Sequence, residues 1–136
     1  MKVTIPDDKI VFSNSFQVTA EDTDFLNHVN NVVYLKWIQE ISEKHWNTFA
    51  TSEMKEQLIW MVLQHKIDYL HQSFEGDTIT ISTWVEKNEG VKSTRKVLIY
   101  RDDVLLVSSE TIWCLLDKKT MKPKRITDNI SELFLN

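Results

Sequence analysis

Residues able to do chemistry are concentrated in one stretch, Glu21-Asp22-Thr23-Asp24-Phe25-Leu26-Asn27-His28-Val29-Asn30-Asn31. Carboxylates, an imidazole and carboxamides stand there just ahead of an apolar, Trp-bearing segment. A helix start carries unpaired N–H groups and a partial positive charge, so it suits anions and developing oxyanions. Asn30 or Asn31 can cap such a start. Asp24 lies six residues before Asn30, and His28 follows Asp24 by four. A carboxylate, an imidazole and free N–H groups in one place suffice for attack on an acyl carbonyl. The carboxylate attacks or activates water, and the N–H groups hold the carbonyl oxygen. By spacing alone the stretch reads equally as a capped helix start, with Asp22 and Asp24 forming turns and His28 structural. Asp24 and His28 lack a third ligand nearby, and His65 and His71 lie far along the chain, so no metal site is expected. Neither a GxSxG elbow nor a Gly-rich phosphate loop occurs.

The elements that must position this stretch follow from periodicity. Residues 1–9 read as an irregular lead-in containing Pro6, and residues 10–19 as a strand in which Phe16 and Val18 alternate with polar neighbours. From about Asn30 a helix is predicted: Tyr34, Trp37, Ile38, Ile41, His45 and Phe49 recur at spacings of three and four. Trp46 falls off that stripe, which predicts a helix enclosed on several sides. Residues 51–58 read as a short helix capped by Ser52. Four β-rich runs follow, 59–73, 78–86, 91–101 and 104–116, with Leu63, His65, Ile67, Tyr69 and His71 sharing a face in the first. Both glycines, Gly76 and Gly90, fall in the turns between runs. The tail, residues 127–135, reads as a short helix capped by Thr127 or Asp128.

Short turns favour antiparallel neighbours, so the expected class is α+β, one long helix beside an antiparallel sheet. The last two runs are apolar on both faces, and one helix covers only one face. Packing against another subunit is the expected remedy.

At 136 residues the chain, 1–136, is expected to form one domain. Its apolar fraction is 42% and its charged fraction 26%, both ordinary for a globular protein. A net charge of −4 without a basic stripe argues against nucleic acid as a partner. Five tryptophans point to a large core, an interface or an apolar ligand pocket. The single cysteine, Cys114, lies in an apolar run and reads as a buried small hydrophobe. No apolar run is long enough for a membrane span, and the N-terminus lacks a signal-type apolar region. The cytoplasm is the expected location.

The run from Glu21 to Trp37 resembles the signature of hotdog-fold acyl thioesterases, both the 4-hydroxybenzoyl-CoA thioesterase-like and the acyl-ACP enzymes. That signature has an Asp, then His-Val-Asn-Asn four residues on, then a Tyr and often a Trp. The similarity continues through Ile67-Asp68-Tyr69, Gly76-Asp77 and Asp117-Lys118-Lys119-Thr120-Met121-Lys122-Pro123, covering roughly residues 11–126. The resemblance implies the hotdog fold, a long helix wrapped by a curved antiparallel sheet. It also implies homodimers or homotetramers with the site at the subunit interface. Asp24 matches the family's catalytic carboxylate, nucleophile or general base, and His28 the position that orients or polarises. Asn30, Asn31 and Tyr34 match the segment that opens the helix and borders the acyl site, and so become the expected substrate-binding residues. Two departures stand out. Many coenzyme-A members carry Gly where this chain has Asn27, and acyl-ACP enzymes carry Asn where it has Leu26.

The expected function is hydrolysis of an acyl-CoA thioester to acid and thiol. Alternatives are an acyl-ACP thioesterase, an enoyl-thioester hydratase or dehydratase, and a non-catalytic acyl-binding module. Carboxylate chemistry of this kind needs no cofactor.

Overall fold

The computed structural model describes residues 2–135. Its elements run β1 (Phe12–Gln17), α1 (Asn31–Phe49), α2 (Ser52–Gln57), β2 (Leu58–Tyr69), β3 (Thr78–Glu89), β4 (Lys92–Arg101), β5 (Val104–Asp117) and α3 (Asp128–Phe134). The strands form one antiparallel sheet in the order β1-β3-β4-β5-β2. Strand β1 therefore pairs with β3 rather than with β2. The chain leaves the sheet after β1, lays α1 across it, and returns at the opposite edge. Tight turns join β3 to β4 and β4 to β5. In the first of these Gly90 takes φ +64°, a left-handed conformation in which a Cβ is strained.

Helix α1 contains neither Gly nor Pro, and its buried residues follow the expected stripe: Tyr34, Trp37, Ile38, Ile41 and His45. The first four pack with Ile79, Ile81, Val97, Ile99 and Val107 of the sheet, while His45 meets Arg95 and the rings of Phe12, Phe49 and Phe134. Trp46 leaves the stripe and is still buried, because Trp60 meets it edge-on at 5.6 Å and Phe134 of α3 stacks on it at 5.7 Å. Phe49, expected on the stripe, is only half-buried at the helix end, its ring edge-on to those of Phe12, His45 and Phe134. Helix α2 is capped by Thr51, whose side chain accepts from Met54 N, and not by Ser52.

Strand β2 departs from simple alternation. A bulge between Val62 and Gln64 switches the parity of the strand. Leu58, Trp60 and Val62 are the less exposed residues before it, His65 and Ile67 after it. Leu63, expected to share a face with His65, is exposed instead.

Cover for the outer sheet face comes partly from the chain itself. Trp84, Leu98 and Leu105 cluster there, with Val3, Val11, Leu70 and Tyr100 packed against them. The lead-in thus supplies part of what the sequence assigned to a second subunit. Cys114 is buried, as expected. Among the described residues no helix is long and apolar enough to cross a membrane.

Candidate active site

The loop from Thr19 to Asn30 is a sequence of small, self-hydrogen-bonded turns. Asp22 Oδ2 accepts from Thr19 N at 3.0 Å and from its hydroxyl at 3.1 Å, while Thr23 N donates to Ala20 O. Asp22 is thereby used as a turn former. Asp24 opens the next turn: its N donates to His28 O at 2.9 Å, and Asn27 N donates to Asp24 O at 3.0 Å. The side chain closes the same turn from within. Asp24 Oδ1 accepts from Leu26 N at 2.9 Å and from His28 N at 3.3 Å. One carboxylate oxygen is fixed by backbone donors, and Oδ2 has no hydrogen bond among the described residues.

Asn27 explains how the turn closes. Its φ is +64°, a left-handed conformation that Gly adopts freely and Asn tolerates better than most residues. Gly and Asn at this position thus meet the same backbone requirement.

His28 is joined to Asp24 through its backbone, not its ring. The imidazole packs edge-on against Phe74 at 5.1 Å, and the two residues form a β-bridge. Val29 N donates to Ser73 O at 3.0 Å, so residues 73–77 form a second wall of the loop. Asp77 pins that wall: its Oδ2 accepts from Phe74 N at 2.9 Å and from Arg101 Nη1 at 2.8 Å.

Of the two candidate caps, Asn30 is the one used. Its Oδ1 accepts from Val32 N at 2.9 Å, and its carbonyl accepts from Val33 N at 2.9 Å and Tyr34 N at 3.4 Å. That leaves Asn31 N–H as the free donor of the first turn among the described residues. The Asn31 carbonyl accepts from Tyr69 Oη at 3.4 Å.

Tyr34 lies in the core, 2% exposed, with its hydroxyl 2.5 Å from Ser73 Oγ. Burial raises the phenol pKa, and the Ser73 hydrogen bond partly offsets that. A cleft of about 250 Å³ between Asn31, Tyr34, Tyr69, Leu70, His71 and Gln72 adjoins the helix start. Another, of about 370 Å³, lies on a different side of α1 and includes Asp22, Trp37, Ile41 and Lys44. Asp24 lines neither; beside it Phe25 is 95% exposed.

The structure therefore gathers Asp24, His28, Asn30 and Asn31 at one helix end and draws Tyr34 inward. Sequence reasoning did not pick out Ser73 or Phe74, and gave Tyr69 no site role although it lay in the family similarity; all three buttress this end. The turn Phe74-Glu75-Gly76-Asp77, which begins at Phe74, was the available signal.

A family model described as the acyl-ACP thioesterase N-terminal domain matches residues 9–134. This chain belongs to the acyl-ACP thioesterase family. Among curated members, the chloroplastic acyl-[acyl-carrier-protein] hydrolase FATB3 of Cuphea viscosissima is 24% identical over 136 residues, 92% of this chain and 33% of that protein. The chain thus spans about a third of the length of the curated family members it matches. Among solved structures, the Staphylococcus aureus protein SAV2348, determined in complex with CoA, has a TM-score of 0.82 at 15% identity, covering 96% of this chain and 85% of its own. The 12:0-ACP thioesterase of Umbellularia californica has a TM-score of 0.78 at 17% identity, covering 93% of this chain and 51% of its own. At these identities the likeness establishes the fold, which is the hotdog fold.

Proposed function

We propose that this chain hydrolyses acyl thioesters at the start of α1, with Asp24 as the catalytic carboxylate. The observation that carries the reading is the state of Asp24: one oxygen is held by two backbone N–H groups while the other is unengaged, in the loop that leads into a helix start with a free N–H. Oδ2 attacks the thioester carbon directly, releasing thiolate and leaving a mixed anhydride that water cleaves. Alternatively it takes a proton from water that attacks the same carbon. Both routes consume one water and give a carboxylate and a thiol. The Asn31 N–H, with the helix dipole behind it, receives the carbonyl oxygen as it gains charge.

His28 shapes the turn through its N–H and presents its ring beside Phe74. Asn30 holds the helix start, and Tyr34 fixes α1 to Ser73. The cleft bordered by Asn31 and Tyr69 is the adjoining place for substrate. The family match favours acyl carrier protein over coenzyme A as the carrier, where the sequence reading expected coenzyme A with acyl carrier protein as the alternative.

A second copy of the chain completes the site in this reading, as a homodimer or homotetramer. Phe25 and Leu26 are exposed beside Asp24, and β2 is a sheet edge with Ile59, Met61 and Leu63 exposed.

The test is thiol release from acyl-ACP and acyl-CoA panels by the wild-type protein and Asp24→Asn. A drop of about 100-fold or more is expected for the variant. Equal turnover by both proteins removes Asp24 from the mechanism. Loss of enoyl-thioester absorbance without thiol release would replace hydrolysis by hydration.

A further inference from the structure

A separate cavity of about 350 Å³ lies at the other end of α1, within the usual range of small-molecule pockets. Trp46 and Asn47 on its wall are about 23 Å along the helix from Asn31, at 1.5 Å per residue. Its apolar lining includes Trp46, Leu58, Trp60 and Phe134. Set into that lining is Arg95, which is 7% exposed.

Arg95 has no acidic partner among the described residues. Its Nη1 donates to His45 Nδ1 at 2.8 Å and to Thr83 Oγ1 at 3.1 Å, while Nη2 and Nε make no hydrogen bond among the described residues. Burial lowers its pKa to about 10, so the guanidinium stays charged at neutral pH. A buried cation without a counter-ion is costly, and an anion on its free edge removes that cost. A second unpaired donor, the buried Trp113 Nε1, belongs to the same wall. Lys55 and Lys118 add positive charge at the rim, against the carboxylate of Glu43 among the described lining residues. Asn88 contributes a buried unpaired acceptor, Oδ1, able to take a proton donor from the ligand or a water.

We infer that this cavity binds a free organic carboxylate with an apolar body, of the medium-chain fatty acid class. The head group sits on the unused edge of Arg95 and the body lies among Trp46, Trp60, Leu58 and Phe134. A planar guanidinium with paired donors matches a carboxylate two-to-two, which a neutral alcohol cannot reproduce. The inference does not depend on Asp24 being catalytic. Should hydrolysis hold, the ligand is of the same chemical class as the acid product, and the cavity is a place for product to bind away from the reacting carboxylate.

Three of the chain's five tryptophans line the cavity, so binding is read directly from Trp emission, with calorimetry in parallel. Decanoate, decanol and inorganic phosphate are titrated into the wild-type protein near neutral pH. Decanoate is expected to saturate at one per chain, decanol to bind about tenfold more weakly, and phosphate not to bind. Lys118→Glu, a surface change, is expected to weaken decanoate several-fold, and Ser93→Leu, which fills the wall, to remove it. Asp24→Asn is expected to bind decanoate as the wild type does, whatever its activity. The proposal is overturned if decanoate does not saturate or if decanol binds equally well. It is overturned too if Lys118→Glu and Ser93→Leu both leave affinity unchanged, or if Asp24→Asn abolishes binding.

Discussion

The Tyr34 hydroxyl and Ser73 Oγ lie 2.5 Å apart in the core and tie the first turn of α1 to the segment ahead of β3. Ser73 also accepts Val29 N through its carbonyl, so one residue secures both sides of the candidate site. Removing either hydroxyl strands the other in a buried place. Tyr34→Phe and Ser73→Ala are each expected to cost about 1–3 kcal/mol, and the double variant less than their sum. Urea denaturation of the four proteins measures this; strictly additive losses would mean the pair does not act as a unit.

Asn27 sits between the carboxylate of Asp24 and the His28 N–H that holds it. Its left-handed backbone means that Asn27→Gly should keep activity within a small factor. Asn27→Val must adopt φ +64° with a branched side chain, costing roughly 1–2 kcal/mol. Because strain there disturbs the turn around Asp24, thiol-release kinetics should show kcat falling more than KM. An unimpaired Asn27→Val would show that the turn geometry is not needed.

Local rules made much of this chain legible. The stripe Tyr34, Trp37, Ile38, Ile41 and His45 is buried as its spacing implied, and the β3-β4-β5 part of the sheet follows from short turns, although the β1–β3 and β5–β2 pairings do not. What escaped depends on partners distant in sequence. The β2 bulge arises in pairing with β5, so Leu63 turned outward against the alternation. Enclosure of Trp46 was expected from its place off the stripe, but its partners Trp60 and Phe134 are ones that no helical period reveals. Within the site, Asn30 was a candidate cap by type and spacing, whereas Asp24 was set apart from Asp22 only by the family resemblance. Ser73 became visible only when the fold brought it to Tyr34, and Arg95 only when it reached His45, fifty positions away.

Asn30 tests the helix start separately from the carboxylate. Its side chain takes up Val32 N–H and leaves Asn31 N–H as the free donor. Asn30→Ala is expected to lower stability by about 1 kcal/mol through loss of the cap. It should also lower kcat, since a frayed first turn no longer fixes the Asn31 donor. Asn30→Ser, which keeps a capping oxygen, should recover most of both. Thermal melts and thiol release on the three proteins check this, and recovery of stability without recovery of rate would separate capping from catalysis.

The buried His45 gives the fold a pH dependence of definite sign. Arginine only donates, so His45 Nδ1 accepts from Arg95 and the ring is neutral, its proton on Nε2. Phe12 stacks on the ring at 5.0 Å, with Phe134 and Phe49 edge-on at 4.9 and 5.4 Å. Burial, and secondarily the Arg95 charge, lower the imidazole pKa to about 3. In the unfolded chain it titrates near its ordinary value of about 6.5. Above that value His45 is neutral in both states and contributes no pH dependence. As pH falls below it, the unfolded chain gains a proton that the folded chain refuses, and stability drops by up to about 1.4 kcal/mol per pH unit. His45→Gln keeps an acceptor for Arg95 but cannot titrate. Urea midpoints from about pH 8 to about pH 4.5 should therefore fall more steeply for wild type than for the variant, with the divergence beginning near pH 6.5. Parallel curves would mean that His45 is protonated in the folded state and that its bond to Arg95 breaks in acid.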